Sequence, residues 1–385
     1  MKQGIAILGS TGSIGLNTLD VVSRSLKDSF EVIALSADSN IKLLSEQAKL
    51  FRAKAISVRD SLLASAIKKS VSKRTEVLTG LEGLNAIVSR HDVDIVVFAI
   101  SGSSCVIPLL KAIENKKKIA LANKESLVAA GAIVMKQAKK SNSTIIPIDS
   151  EHSAIFQCLD GRADQLNKIY LTGSGGPLLD ISPNRFDGLS KEFILKHPKW
   201  KMGRKISVDS ATMMNKGLEI IEARWLFGVE EDRIEVLIHP EAVIHSMVEL
   251  VDGVIFAELG APDMRSPIQY ALTYPSRSKG LAPMIDFSKI TKFSFRQPDI
   301  DKFPCLDMAR WALKMGGTLT AVLNAADEEA VKGFLKGDIR FSAIPRIIEK
   351  VMSKHKNISK NAISIDDVLG AEAWAREETR SLCYH

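Results

Sequence analysis

The chain has little cysteine. Its four thiols, Cys105, Cys158, Cys305 and Cys383, are scattered over 385 residues without a Cys-x-x-Cys pair. That spacing argues against a structural zinc and for a reducing compartment. Aromatic residues are also sparse, at 6%. None interleaves with the short basic runs Lys68-Lys69, Lys116-Lys117-Lys118 and Lys139-Lys140, and no nucleic-acid motif accompanies them. These runs read as solvated helix ends and faces, where lysine near a helix C-terminus complements the dipole. No apolar stretch is long enough to span a bilayer. The first strand-like run starts within a few residues of Met1, leaving no room for a targeting segment. The expectation is a bacterial-type cytoplasmic protein with neither nucleic acid nor membrane as partner.

What is present is a soluble globular composition, with a net charge of +7 that suits anionic ligands such as phosphates. The length calls for two or three domains. Up to residue 148, strand-like and helix-like patterns alternate. Strands are expected at Ile5-Leu8, Val32-Leu35, Ala55-Val58, Asp94-Ile100, Lys118-Ala122 and Thr144-Ile148. They are apolar nearly throughout, as strands covered on both faces must be. Helices are expected at Ile14-Ser23, Ile41-Phe51, Leu81-Ser89, Val106-Asn115 and Glu125-Lys140. Alternating βα units imply a doubly wound, Rossmann-like parallel sheet. Beyond Asp149 the texture becomes that of an α+β domain, with extended segments at Arg233-His239, Val243-Val251 and Val254-Leu259. Helical periodicity returns at Leu306-Met315, Thr320-Leu335, Ala343-Val351 and Ile365-Ala375. The expected division is a dinucleotide-binding domain over 1–149, a catalytic α+β domain over 150–273, a linker over 274–305 and a helical domain over 306–385.

Several short segments carry chemistry. Gly9-Ser10-Thr11-Gly12-Ser13-Ile14-Gly15 follows a strand and opens a helix. Its glycines allow a tight turn and close approach of a pyrophosphate, with helix N–H donors behind it. Asp149-Ser150-Glu151 stands where a buried strand ends. Two carboxylates at i, i+2 there can turn toward one hard cation, or form a plain solvated turn. Thr172-Gly173-Ser174-Gly175-Gly176-Pro177 is either a surface turn or an anion nest of converging N–H groups. In Ser207-Val208-Asp209-Ser210-Ala211-Thr212, Asp209 or Ser210 is expected to cap a helix. Asn215 and Glu219 then share a face, with Lys216 beside them. Gly217 costs that helix about 1 kcal/mol relative to alanine, so something is expected to pack closely on its backbone. His197-Pro198-Lys199-Trp200-Lys201-Met202-Gly203 reads as a polar loop whose Trp either tucks into the core or closes over a site. Asn123-Lys124-Glu125-Ser126 follows a strand at the carboxyl edge, where such sheets bind ligands.

Together these segments closely resemble the 1-deoxy-D-xylulose 5-phosphate reductoisomerases. The most specific stretch is the continuous run from Met202 to Glu219, and Ile238-His239-Pro240 and Ile244-His245-Ser246 extend the likeness. The resemblance covers essentially the whole chain. It implies conversion of 1-deoxy-D-xylulose 5-phosphate to 2-C-methyl-D-erythritol 4-phosphate in non-mevalonate isoprenoid synthesis. The implied cofactors are NADPH and a divalent metal (Mg²⁺, Mn²⁺ or Co²⁺), and the implied assembly is a homodimer. The metal ligands would be Asp149, Glu151 and Glu219. Ser174, Ser210, Asn215 and Lys216 would grip the substrate phosphate, and Lys124, Ser150 and His197 would contact the rest of the substrate. Thr11, Gly12, Ser13, Ile14, Asn40, Asn123, Glu125 and Gly203 would meet the cofactor. Trp200 and Met202 would belong to a lid.

One stretch departs from the pattern. After the second strand the family usually carries Ala-Gly-x-Asn, often with a basic x; here it is Ala37-Asp38-Ser39-Asn40. An acid at this point favours the 2′-hydroxyl of NAD, so Asp38 is expected to narrow the preference for NADPH. Two rival readings are another NAD(P)-dependent oxidoreductase, such as a homoserine or semialdehyde dehydrogenase, and a catalytically silent dinucleotide sensor. The three acids count against both, and the first also lacks a catalytic-cysteine context.

Overall fold

A computed structural model describes residues 2–200, 202–358 and 363–383. Two compact units are formed, one from residues 1–126, 134–153 and 263–283, the other from 127–133, 154–262 and 284–385. The first begins as β1 (Gln3–Leu8), α1 (Ser13–Arg24), β2 (Phe30–Ser36), α2 (Ile41–Phe51), β3 (Ala55–Val58), α3 (Ser61–Lys68) and β4 (Glu76–Thr79). It continues as α4 (Gly80–Ser89), β5 (Ile95–Phe98), α5 (Val106–Glu114), β6 (Lys118–Leu121), the two ends of α6 (Lys124–Ser141), β7 (Ile145–Pro147) and the start of α7 (Ser150–Cys158). Its seven strands are all parallel, in the order β4-β3-β2-β1-β5-β6-β7. β3 and β5 are buried at every residue and β1 at all but its first, as a sheet covered on both faces requires. The order reverses at β1, so the carboxyl ends of β1 and β5 form the switch point where such sheets hold ligands.

The second unit carries β8 (Leu166–Gly173), α8 (Lys191–Leu195), α9 (Arg204–Thr212), α10 (Met214–Phe227), β9 (Ile234–Ile238), β10 (Ile244–Leu250) and β11 (Ile255–Leu259). These strands form a mixed sheet, β11-β10-β8-β9, with only β8 and β9 parallel. Helix α11 (Arg265–Thr273) belongs to the first unit. The helices α12 (Cys305–Met315), α13 (Leu319–Lys336), α14 (Ala343–Lys354) and α15 (Ile365–Cys383) belong to the second. These last four do not form a core of their own. Val208, Leu218 and Val236 share one apolar cluster with Ala309, Leu323, Ile348 and Ala375.

The expected alternation and the C-terminal helices are present. Several elements escaped the sequence reading, among them α7, α8 and α11 as well as β4, α3 and β8. β4 is a half-exposed edge strand and α3 has one buried residue, so neither shows an apolar run. β8 opens Leu-Asn-Lys, and the polar pair hides its buried second half. Within the expected linker, Arg296 pairs with Ile238 through both backbone bonds, at 2.8 and 2.9 Å.

Candidate active site

The glycine loop at the end of β1 is shaped by close backbone approach. Gly9 has φ +90°, and a Cβ there would lie 2.5 Å from the Ala99 carbonyl beyond β5. A Cβ on Gly15 would meet the Gly9 carbonyl at 2.4 Å. Thr11, Gly12, Ser13 and Ile14 lie at the resulting turn, and Gly12 caps α1 without a side-chain oxygen. The first-turn N–H groups therefore present their positive end as a phosphate needs. Ser10 donates to Gln47 Oε1 of α2 at 2.7 Å, and Gln47 Nε2 returns a bond to the Ser10 carbonyl at 2.9 Å. Asn40 is exposed and caps α2 by accepting from the Leu43 amide.

Asn123 and Glu125 are buried and engaged. Asn123 Nδ2 donates to the carbonyls of Ile100 (2.8 Å) and Gly102 (2.9 Å) and to Glu125 Oε2 (3.0 Å), while Oδ1 caps α6 at the Ser126 amide. Glu125 Oε1 accepts from the Gly102 amide at 3.1 Å. The pair fastens the start of α6 to the loop after β5. Beside them, Lys124 Nζ lies 2.6 Å from Asp149 Oδ2, both largely buried. Burial pushes the Asp149 carboxyl upward, but Lys124 and the nearby His152 outweigh it and hold the group well below its usual range. Asp149 is thus an ionised oxygen donor just past β7. The neighbouring acid accepts from the first serine of α7, Ser150 Oγ to Glu151 Oε2, at 2.6 Å.

The second unit gathers a different set. At the end of β8, Lys216 Nζ donates to the Thr172 carbonyl at 2.6 Å, passing where a side chain on Gly173 would stand. Lys216 also pairs with Glu219, which accepts from Asn215 as well. Gly176, at φ +70°, lets the glycine turn lie against α9: a Cβ there would be 2.6 Å from the Ser210 carbonyl and 3.1 Å from its hydroxyl. Ser174 Oγ is 3.1 Å from His197 Nε2. His197 Nδ1 accepts from the amides of Lys199 (3.2 Å) and Trp200 (2.9 Å), so the ring proton sits on Nε2 and is donated to Ser174. Burial, and then Lys216, push the His197 pKa down to about 4, so the ring is neutral at pH 7. The Ser174 and Ser210 hydroxyls and the Lys216 side chain thus stand at the Gly173–Gly176 turn, polar donors of the kind that suit an anion.

Profiles described as 1-deoxy-D-xylulose 5-phosphate reductoisomerase, its C-terminal domain, and the DXP reductoisomerase C-terminal domain match residues 5–131, 145–227 and 259–378 respectively. The reductoisomerase of Thermoanaerobacter pseudethanolicus is 47% identical over 98% of both chains. That of Caldanaerobacter subterraneus is 49% identical, again over 98% of both. The chain belongs to the 1-deoxy-D-xylulose 5-phosphate reductoisomerase family. Solved reductoisomerases share the fold. The Zymomonas mobilis enzyme in complex with NADPH is 39% identical with a TM-score of 0.91, covering 100% of this chain and 99% of that one. A complex with NADPH, fosmidomycin and magnesium is 38% identical with a TM-score of 0.94, covering 99% and 98%.

Within this reductoisomerase fold, one expected detail is corrected. Neither Asp209 nor Ser210 caps a helix: Gly203 caps α9, both residues lie inside it, and the corner into α10 is Met213 at φ +59°. Asp209 is instead buried against Lys205 at 2.7 Å, and Lys205 also meets Asp327 of α13 at 2.7 Å. The close neighbour expected at Gly217 is α12, since a Cβ there would stand 2.6 Å from that of Ala309. Trp200 is half-buried, edge-on to His245 of β10 at 5.8 Å between ring centroids; Met202 is half-buried and Lys201 lies outside the described residues. The support from His245 was not read from the sequence, although a histidine at an outward position of an alternating strand is a signal for it.

Proposed function

We propose that this chain converts 1-deoxy-D-xylulose 5-phosphate to 2-C-methyl-D-erythritol 4-phosphate, with NADPH as reductant and a divalent cation at Asp149, Glu151 and Glu219. Membership of the family supports the reaction. The observation that supports the site assignment is the gathering of the Ser174 and Ser210 hydroxyls and the Lys216 side chain at one glycine turn, which with Asn215 would hold the substrate phosphate in a cradle, in a chain that also has a dinucleotide loop. The three acids offer only oxygen, which suits Mg²⁺, and also Mn²⁺ or Co²⁺, and Asp149 is already ionised. When bound, the cation polarises the substrate carbonyl as a Lewis acid, and NADPH supplies the hydride that reduces the rearranged aldehyde.

The chain's own groups bind and orient. The cradle takes the phosphate, the non-reacting end, whose binding energy holds the substrate in reactive geometry. His197, neutral, keeps Ser174 in place through Nε2 and ties the cradle to the backbone of Trp200. Lys124 and Ser150 face the substrate. Trp200 and Met202 form a lid that excludes water. Thr11, Gly12, Ser13, Ile14, Asn40, Glu125 and Gly203 line the cofactor, and Asn123, with its side chain committed, meets it through the backbone. Residues 1–149 serve the cofactor, 150–273 the metal, substrate and dimer contact, and 306–385 buttress the site through the shared core. β11 exposes Ile255 and Phe256 at a sheet edge, which supports a homodimer. No described helix is long and apolar enough to cross a membrane; the cofactor and the four free cysteines support a cytoplasmic setting.

The test is NADPH oxidation by the purified chain with 1-deoxy-D-xylulose 5-phosphate, before and after chelation, with the product identified by NMR. Substrate-dependent oxidation that stops with chelator and returns with Mg²⁺ is expected. Oxidation indifferent to chelator would remove the metal assignment.

A further inference from the structure

The loop after β2 meets the cofactor ribose in doubly wound sheets, and an acid there accepts from the 2′-hydroxyl of NAD whereas a nearby arginine accommodates the 2′-phosphate of NADP. Asp38 stands on that loop and by itself opposes NADPH. It does not stand by itself. Arg59, just past the end of β3, places Nη1 3.3 Å from Asp38 Oδ2, and its backbone N–H donates to the Asp38 carbonyl at 3.1 Å. The same guanidinium donates from Nε to Asp60 Oδ2 at 3.2 Å, and Asp60 Oδ1 caps α3 at the Leu63 amide. Just before them, the Ala37 amide donates to the Ser57 carbonyl of β3 at 3.0 Å, tying the Asp38 loop to the end of that strand.

We infer that Arg59 is the specificity residue that reads the adenosine 2′-phosphate of NADPH in this chain. Two carboxylates aim the guanidinium, and only two of its five N–H donors are spent on them. Arg59 remains 58% exposed at the carboxyl edge of the sheet. A planar fork with donors to spare suits a phosphate dianion, which can share the cation with Asp38. Read this way, Asp38 is a positioning residue for Arg59 and not a selector for NAD. The basic residue that the family often carries after β2 is replaced in space by one from β3. As a pair for stability alone, two such exposed groups would contribute little.

The inference rests on NADPH being the cofactor, so the experiment measures the 2′-phosphate directly. Calorimetry compares adenosine 2′,5′-bisphosphate with 5′-AMP on the full chain, for wild type, Arg59→Gln and Lys42→Gln, the last a lysine in the first turn of α2. Arg59→Gln is expected to weaken the bisphosphate about tenfold, as loss of a charged hydrogen bond does, and to leave 5′-AMP unchanged. The wild-type preference should shrink as salt is raised. Equal affinity of the wild type for both nucleotides would remove the NADPH reading itself. A wild-type preference that survives Arg59→Gln, or that Lys42→Gln abolishes instead, would overturn the role of Arg59 alone.

Discussion

Glu219 and Lys216 neutralise each other inside the second unit, yet each is proposed to meet a different partner, the cation and the phosphate. Their variants should therefore move metal binding in opposite directions. Glu219→Gln removes a negative oxygen at nearly constant shape, so Mn²⁺ affinity read by EPR and turnover should fall together while NADPH binding persists. Lys216→Met removes the competing ammonium, so Mn²⁺ should bind about tenfold more tightly without substrate even as turnover collapses. Unchanged Mn²⁺ affinity in Glu219→Gln would sink the ligand assignment. His197 adds a pH test. Its folded pKa of about 4 lies below its ordinary 6.5, so as pH falls through that window the unfolded chain takes a proton that the folded chain refuses. Stability should drop on acidification. After discounting for its exposed part, the loss from pH 7 to 5 is about 1 kcal/mol, and His197→Gln should abolish it in urea titrations at the two pH values.

At the scale of elements, the sequence places the start of one helix at Asp209 or Ser210, whereas the structure has two helices, α9 and α10, that meet at the left-handed Met213. The polar face of Asn215, Lys216 and Glu219 was legible from i, i+4 spacing. The cap was misread because Asp209 has the chemistry of a cap and is spent instead on Lys205, itself paired with Asp327 of α13. Burial drives the Asp327 carboxyl upward despite that lysine. Gly217 makes the packing testable. Alanine in a helix interior ordinarily stabilises, but here its methyl would strike Ala309 and come within 3.2 Å of the Cys305 carbonyl. Gly217→Ala should cost roughly 1–3 kcal/mol by overpacking, seen as a lower urea midpoint with an unchanged slope. A gain in stability would mean that α12 shifts freely away from α10.

For the whole molecule, the parallel sheet was readable because strands buried on both faces are continuous apolar runs. β10 reads as clean alternation, and its neighbour β11 leaves Ile255 half exposed and Phe256 more than a third exposed at the sheet edge. A monomer gains nothing from such an edge, whereas a second copy would cover it. For the proposed homodimer, Phe256→Asp with Ile255→Asp should halve the mass seen by light scattering while far-UV dichroism stays unchanged. A dimer that survives both substitutions places the interface elsewhere.

The sequence by itself determined what depends on neighbours along the chain: the glycine turns, the strand and helix periods, and the chemical types of the donors in each motif. Tertiary structure alone decided which charge stands against which. Asp38 reads as a selector for NAD until Arg59, 21 residues on, is found beside it. His197 has no fixed tautomer until the backbone of its own loop and Ser174 supply one. Lys216 meets the Thr172 carbonyl 44 residues away. Coulombic and hydrogen-bond energies depend on separation through space and on burial, and neither is written in the spacing of residues along the chain.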